Sequence, residues 1–141
     1  PDMTRSADIM TRGVEVIQHG DTLQQAAQRM RALDIGALPV VDGKTLVGMV
    51  TDRDITVRGV ATGLHPLEAP VADVMTAQVL SCREDESVEA VLAQMGDAQV
   101  RRLPVLDAAR ALVGIVALGD LATRQPAHTD EALREISSSD A

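Results

Sequence analysis

Apolar residues recur at helical spacing after Asp21 and define the first clear element of the chain. Thr22 stands just before them and Gln25 follows three residues later, which is the spacing of a capping box at a helix start. Because the apolar positions share one face, they predict an amphipathic helix packed against a sheet. They are Leu23, Ala26, Ala27, Met30 and Leu33.

Short β-branched runs on both sides of this helix predict strands. One run covers residues 14–17, and two more cover residues 38–41 and 46–50. The last two are separated by Asp42-Gly43-Lys44, a composition that suits a tight hairpin. Small polar residues over 51–54 then favour the start of a second helix.

This order of elements is written twice. Ala7-Asp8-Ile9-Met10-Thr11 returns 65 residues later as Ala72-Asp73-Val74-Met75-Thr76, and Leu46-Val47-Gly48 returns 66 residues later as Leu112-Val113-Gly114. Such a period exceeds the roughly 20 to 50 residues of solenoid repeats and favours two units that face each other. The chain is therefore predicted to be a tandem β-α-β-β-α repeat of mixed α/β (α+β) class. The second copy would have strands at 79–82, 103–106 and 112–116, with helices from Ser87 and from near Gly119.

The repeat also suggests domain boundaries. We assign repeat 1 to residues 6–60 and repeat 2 to residues 72–124, joined by a linker over 61–71 that contains glycine and proline. Residues 125–141 form a C-terminal tail that ends in a polar, serine-rich stretch. We expect this tail to be partly disordered.

Composition narrows the classes of function. Phe, Tyr and Trp are absent, so the core must be aliphatic and no aromatic platform can stack on a base. The formal net charge of -8 disfavours nucleic acid and anionic membranes as partners. No apolar run approaches the roughly 18 residues of a membrane helix, and the chain starts without a secretory pattern. We therefore expect a cytoplasmic protein.

Residues that bind metals or act as nucleophiles are scattered. His19, His65, His128 and Cys82 show none of the close pairs typical of zinc sites, so no metal site is predicted. Cys82 ends an apolar run and fits a small buried residue better than a nucleophile. Because the chain lacks a Walker loop and a dinucleotide fingerprint, a bound nucleotide would be sensed rather than turned over. We expect no enzyme and no required cofactor.

The joint order of these motifs resembles a cystathionine-β-synthase (CBS) domain pair over residues 6–124. The closing motif of repeat 1 is Gly48-Met49-Val50-Thr51-Asp52-Arg53-Asp54. Ile35-Gly36-Ala37-Leu38-Pro39, followed by Thr51-Asp52-Arg53-Asp54-Ile55, is similar to small stand-alone bacterial CBS-pair proteins of the hypoxic-response type. The resemblance implies a pseudo-twofold pair, or Bateman module, that dimerises as a disc. It also implies clefts between the repeats that take adenine nucleotides such as AMP, ADP or ATP.

The resemblance directs attention to carboxylates and hydroxyls at the strand-to-helix junctions. Asp54 and Asp120 can accept hydrogen bonds from both ribose hydroxyls, although either can instead serve only as a helix cap. Thr51 can donate its hydroxyl to a ribose or phosphate oxygen, or simply cap the helix. Repeat 2 has Ala117 at that position, which would weaken its cleft about threefold to tenfold in affinity.

Positive charge is also unequal between the repeats. Arg101 and Arg102 stand where repeat 1 has Gly36 and Ala37. In similar CBS pairs this position faces the phosphates, and guanidinium groups suit phosphate oxygens. The alternative is a pair of solvated surface arginines on an acidic chain.

The resemblance further implies that each cleft combines residues of both repeats. Aliphatic members would flank the base, although each also fits an ordinary core position. The main cleft would be formed by Thr51, Asp54, Met49, Val79, Leu80, Arg101 and Arg102. The weaker cleft would be formed by Asp120, Ile115, Val14, Glu15 and Gly36.

The expected function is a regulatory, ligand-sensing module. It would bind an adenine nucleotide between the repeats, form a homodimer and pass its output to another protein. The alternative is a CBS-fold interaction protein that binds no nucleotide. A thermal-shift response to nucleotides would separate the two hypotheses.

Overall fold

The computed structural model describes residues 4–122, apart from the side chains of Asp120 and Ala122. The predicted tail over 125–141 and the end of repeat 2 lie outside the described residues. No helix in the described part is long and apolar enough to cross a membrane. The α-helices of the described part are α1 (Ser6–Ile9), α2 (Leu23–Leu33), α3 (Asp52–Asp54), α4 (Val88–Ala98) and α5 (Leu118–Ala122), and its strands are β1 (Ile17–Gln18), β2 (Ala37–Asp42), β3 (Thr45–Thr51), β4 (Cys82–Arg83), β5 (Arg102–Leu106) and β6 (Leu112–Ala117).

The described strands form two three-stranded sheets with the same topology, so the mixed α+β prediction is confirmed. In each sheet the first strand runs parallel to the second, and the second pairs antiparallel with the third. Even the register shift recurs, since it falls between Val40 and Val41 in β2 and between Val105 and Leu106 in β5. The duplication therefore extends to backbone hydrogen bonding.

Helix α2 begins as its sequence predicts. Thr22 Oγ1 accepts the Gln25 N–H at 3.2 Å, and Gln25 Oε1 accepts the Thr22 N–H at 2.8 Å, which completes the capping box. The buried stripe is narrower than predicted, because Ala27 and Leu33 lie at its two margins and are exposed. The predicted members that are buried are Leu23, Ala26 and Met30.

The predicted strands over 14–17 and 79–82 are wrong in extent. Only two residues of each first strand pair with the next strand, and these are Ile17–Gln18 and Cys82–Arg83. Because β1 meets β2 only at Val40 and Val41, the preceding residues have no ladder to join. An apolar sequence alone therefore does not predict where a strand begins, because the extent of the strand depends on which residues it can pair with.

The chain divides into two compact units, one of residues 15–79 and one of residues 4–14 with 80–122. We use the term leading segments for the motifs that open the two sequence copies, residues 7–11 and 72–76. Each leading segment packs in the unit that holds the strands of the other copy. Thr11 exchanges two backbone hydrogen bonds with Ile115, and Thr76 exchanges two with Met49. The predicted repeat boundaries, 6–60 and 72–124, remain a prediction.

Each leading segment lies against a buried glycine of a third strand. A Cβ added at Gly48 would lie 2.7 Å from Met75 Sδ and 2.7 Å from the Thr76 carbonyl oxygen. One added at Gly114 would lie 2.5 Å from Met10 Sδ. Because glycine has no Cβ, the strand backbone and the leading segment can approach each other this closely at both positions.

Candidate functional site

The turn from β3 into α3 is fixed by a reciprocal pair of hydrogen bonds. Asp54 Oδ2 accepts the Thr51 N–H at 2.9 Å, and Thr51 Oγ1 accepts the Asp54 N–H at 3.1 Å. Both side chains therefore cap the helix, which is the alternative to ligand binding that their positions in the sequence also allowed. The capping bonds leave the Thr51 hydroxyl proton and the second carboxylate oxygen available for further bonds.

Asp54 has a charged neighbour on the helix that follows it. Its Oδ1 lies 3.9 Å from Nε of Arg58, and the Asp54 side chain is 17% exposed. Arg58 belongs to a π-helical turn over Ile55–Gly59 that continues directly from α3. Arg58 was not among the predicted site residues, although the spacing of four after Asp54 places both on one helical face.

The strand register pairs the positions at which the two sequence copies differ. Ala37 lies directly opposite Thr51, and Arg102 lies directly opposite Ala117. Cross-strand partners share one face of a sheet. In each pair one residue carries a hydrogen-bond donor and the other carries only a methyl group. The donor is Thr51 on the third strand in one copy and Arg102 on the second strand in the other.

The residue before each second strand contacts the following helix start through its backbone. The Gly36 carbonyl accepts the Asp52 N–H at 2.9 Å, and the Arg101 carbonyl accepts the Leu118 N–H at 2.8 Å. Gly36 is crowded, since an added Cβ would lie 3.0 Å from Asp52 Oδ2. Arg101 and Arg102 are exposed at the matching place in the other unit. Asp120 lies within α5, and its side chain is outside the structural description.

The residues predicted to flank a base differ in exposure. Met49 and Ile115 are half-buried, and their backbone groups are already bonded to Thr76 and Thr11 respectively. Only their side chains remain free to contact a ligand. Val14 and Val79 are half-buried as well, whereas Leu80 is 49% exposed.

Glu15 is engaged within its own unit. Its Oε2 lies 2.6 Å from Nη2 of Arg29 on α2. The pair borders an open groove of about 460 Å³, to which Asp21 and Leu33 also contribute. A ligand that uses Glu15 would therefore have to share it with Arg29.

The predicted clefts draw on both compact units. From the main cleft, the unit 15–79 contains Thr51, Asp54, Met49 and Val79, whereas Leu80, Arg101 and Arg102 belong to the other unit. Within the first unit Thr51 and Asp54 are in contact. The grouping of the two sets in one cleft remains a prediction.

Cys82 is buried, and its chemistry follows from that burial. Desolvation raises the pKa of the thiol from its ordinary value of 9.0 to about 11. A hydrogen bond with Ser6 lowers the pKa and the charge of Glu86 raises it further, both as smaller effects. Within residues 4–122, no group of three or more His, Cys, Asp and Glu side chains converges as a metal site would.

The duplicated sequence matches one family twice. The CBS domain model matches residues 7–59 and again residues 71–126. The chain belongs to the CBS domain family. The resemblance inferred from the motifs is thereby confirmed.

Two bacterial relatives of this CBS chain align over most of its length. Hypoxic response protein 1 of Mycobacterium tuberculosis is 42% identical over 127 residues, which cover 89% of this chain and 88% of that protein. The uncharacterized protein YlbB of Bacillus subtilis is 41% identical over 142 residues, which cover 98% of this chain and 95% of that protein.

Solved CBS pairs have the same fold. Hypoxic Response Protein I, crystallised with two coordinated zinc ions, gives a TM-score of 0.76 at 41% identity and covers 86% of this chain and 98% of that one. CBSX2 of Arabidopsis thaliana in complex with AMP gives 0.70 at 26% identity and covers 84% and 93%. A CBS pair in complex with 5′-methylthioadenosine and S-adenosyl-L-methionine gives 0.66 at 29% identity and covers 86% and 95%. CBS pair proteins are regulatory, and some bind adenosine-containing ligands.

Proposed function

We propose that this protein is a regulatory CBS pair that binds an adenine nucleotide of the AMP, ADP or ATP class and is not an enzyme. The observation that carries the proposal is the Thr51–Asp54 turn. It presents a hydroxyl donor and a partly exposed carboxylate side by side at a hydrogen-bonded strand-to-helix junction. A ribose needs an acceptor for its two hydroxyls, and a carboxylate provides stronger hydrogen bonds than a neutral group does.

The proposed main cleft joins this turn to the exposed arginines of the other unit. Arg101 and Arg102 would bind phosphate, while aliphatic side chains would hold the base. The main cleft comprises Thr51, Asp54, Met49, Val79, Leu80, Arg101 and Arg102. The weaker cleft comprises Asp120, Ile115, Val14, Glu15 and Gly36.

Complexes of relatives support an adenosine-containing ligand. CBSX2 was crystallised with AMP, and another CBS pair was crystallised with 5′-methylthioadenosine and S-adenosyl-L-methionine. The ligand would act by a population shift, because it stabilises the conformation in which both halves of the cleft reach it. We further propose a homodimer whose altered surface is recognised by another protein.

The competing function is a protein-interaction module that binds no nucleotide. One observation favours it, since Thr51 and Asp54 already bond to each other's backbone and need no ligand to be satisfied. Ala117 also leaves the second junction without a hydroxyl. The two functions differ in whether a nucleotide stabilises the folded chain.

A thermal-shift series against AMP, ADP, ATP, NAD and S-adenosyl-L-methionine tests the proposal. A ligand at about 100 times its Kd should stabilise the protein by about 2.7 kcal/mol. Asp54→Asn should abolish most of the shift, because it removes the negative charge and replaces one acceptor oxygen with an NH2 donor. The matched control is Asp52→Asn in the same turn, which should keep it. If no ligand at millimolar concentration raises the Tm of the wild-type protein, the interaction function replaces the sensing function.

A further inference from the structure

Arg58 connects two parts of the unit 15–79 that are distant in sequence, the Asp54 junction and the leading segment 72–76. Its Nε faces the Asp54 carboxylate at 3.9 Å. Its Nη1 lies 3.4 Å from the carbonyl oxygen of Val74 and 3.5 Å from that of Met75. One guanidinium therefore spans the junction carboxylate and the leading segment 72–76. A planar group with several donors suits this geometry better than an ammonium would.

The backbone around Arg58 is built to hold it there. Arg58 lies in the π-helical turn Ile55–Gly59, and π turns often occur at functional positions. Its carbonyl oxygen accepts the hydroxyl of Thr62 at 2.7 Å. Gly59 lies so close to α2 that an added Cβ would be 2.8 Å from Leu23 Cδ1. The turn is thus packed against the core and cannot shift freely.

The spacing recurs in the other copy. Asp120 is followed four residues later by Arg124, at the same offset of 66 that relates Asp54 to Asp120. Nearby positions did diverge, since Thr51 is matched by Ala117 and Thr56 by Ala122. The aspartate and arginine have therefore stayed together while their neighbours changed. Arg124 itself lies outside the described residues.

We propose that Arg58 is a positioning residue for the Asp54 carboxylate and couples it to the leading segment 72–76. This inference rests on the proposed function, because it assigns a regulation to the same site. Arg58 holds the Asp54 carboxylate in the orientation in which Oδ1 accepts hydrogen bonds from ribose hydroxyls. A ribose bound to that carboxylate therefore also favours the guanidinium position that contacts the carbonyls of Val74 and Met75. Occupancy at the junction is then relayed to the backbone pair of Met49 and Thr76.

Hydrogen exchange in the ligand-free full chain tests the coupling directly. The reporters are the amides of Met49 and Thr76, which bond to each other's carbonyls at 2.9 Å and 2.8 Å. Arg58→Gln should raise their exchange rates about two- to fivefold, the range of a partly exposed ion pair. Asp54→Asn should act in the same direction, and the double variant should exchange no faster than Arg58→Gln alone. The neighbouring Arg53→Gln serves as the matched control and should leave both rates unchanged.

Calorimetry with adenosine and AMP separates positioning from direct contact. If Arg58 acts through Asp54, Arg58→Gln should weaken both ligands by the same factor, about three- to tenfold. A larger loss for AMP than for adenosine would place Arg58 on the phosphate and overturn the positioning role. Unchanged exchange in Arg58→Gln, or independent effects in the double variant, would overturn the coupling. If wild-type protein binds neither ligand, the proposed function fails, while the exchange experiment still decides whether Arg58 couples Asp54 to the leading segment.

Discussion

Arg102 lies directly opposite Ala117, at the register position where the other unit sets Ala37 opposite Thr51. The two copies have therefore exchanged which strand carries the donor: a hydroxyl on the third strand in one unit, a guanidinium on the second strand in the other. A hydroxyl serves neutral and anionic acceptors alike, whereas a guanidinium favours anions. These two cross-strand pairs thus predict that the two strand-to-helix junctions differ in the charge of the ligand group they bind.

This difference predicts how affinity depends on phosphate. Arg102→Ala should lower the affinity for ATP more than that for adenosine, because only ATP has phosphates for the guanidinium to bond. Thr51→Ala should weaken both ligands by about three- to tenfold. Isothermal titration at two salt concentrations measures both effects. Equal losses for ATP and adenosine in Arg102→Ala would show that this arginine is only a surface charge.

The capping box at Thr51 predicts a loss of stability that is independent of any ligand. Thr51→Ala removes the acceptor for the Asp54 N–H and should lower the free energy of unfolding by about 1 kcal/mol. Thr51→Ser keeps the acceptor and should restore most of that loss. Urea unfolding of the ligand-free chain gives the comparison. Should Thr51→Ala prove as stable as wild type, the hydroxyl would have no capping role in solution.

The glycines beneath the leading segments predict a steric effect. Gly48→Ala would force a Cβ to 2.7 Å from Met75 Sδ and the Thr76 carbonyl oxygen. Overpacking of this kind should cost about 1–3 kcal/mol in the free energy of unfolding. Gly20→Ala is the matched control, because nothing lies within 4 Å of its added Cβ. Chemical denaturation of both variants checks the prediction, and equal stabilities would refute the close approach.

The raised pKa of Cys82 predicts a stability that falls in alkaline solution. The pKa of the thiol is 9.0 when it is exposed and about 11 in the folded chain. Between these values the unfolded chain releases the proton that the folded chain retains, so the unfolding free energy decreases as pH rises from 9.0 to about 11. Below that window Cys82 has no such effect. Denaturation across this range should show a shallower slope for Cys82→Ala than for wild type, and parallel slopes would contradict the prediction.

Sequence patterns predicted most of the fold, because its elements are specified locally. The capping box of Thr22 and the buried stripe of α2, which includes Leu23 and Met30, follow from residue spacing alone. The first strands were misplaced because their extent depends on the two positions at which they meet β2 and β5. Pairing of that kind involves residues more than twenty positions apart and leaves little local signal.

The candidate site was predictable in part for the same reason. Thr51 and Asp54 interact within one turn, so their adjacency follows from sequence. The contact of Arg58 with Val74 and Met75 could not be anticipated, because it depends on where the leading segment 72–76 returns. Comparison of the two copies offered one usable clue. Gly48, Met75 and their counterparts Gly114 and Met10 are retained in both, and these are the residues that meet.

The exchange of leading segments also sets an order for synthesis. The unit 15–79 is continuous, so all of its strands and its leading segment are available once residue 79 has left the ribosome. The other unit is discontinuous, and the bridge between Arg5 and Ser87 must wait until the chain has returned to it. Residues 4–14 are thus made well before the strands against which they pack. During that delay Ile9 and Met10, buried in the finished protein, remain exposed to chaperones and to other nascent chains.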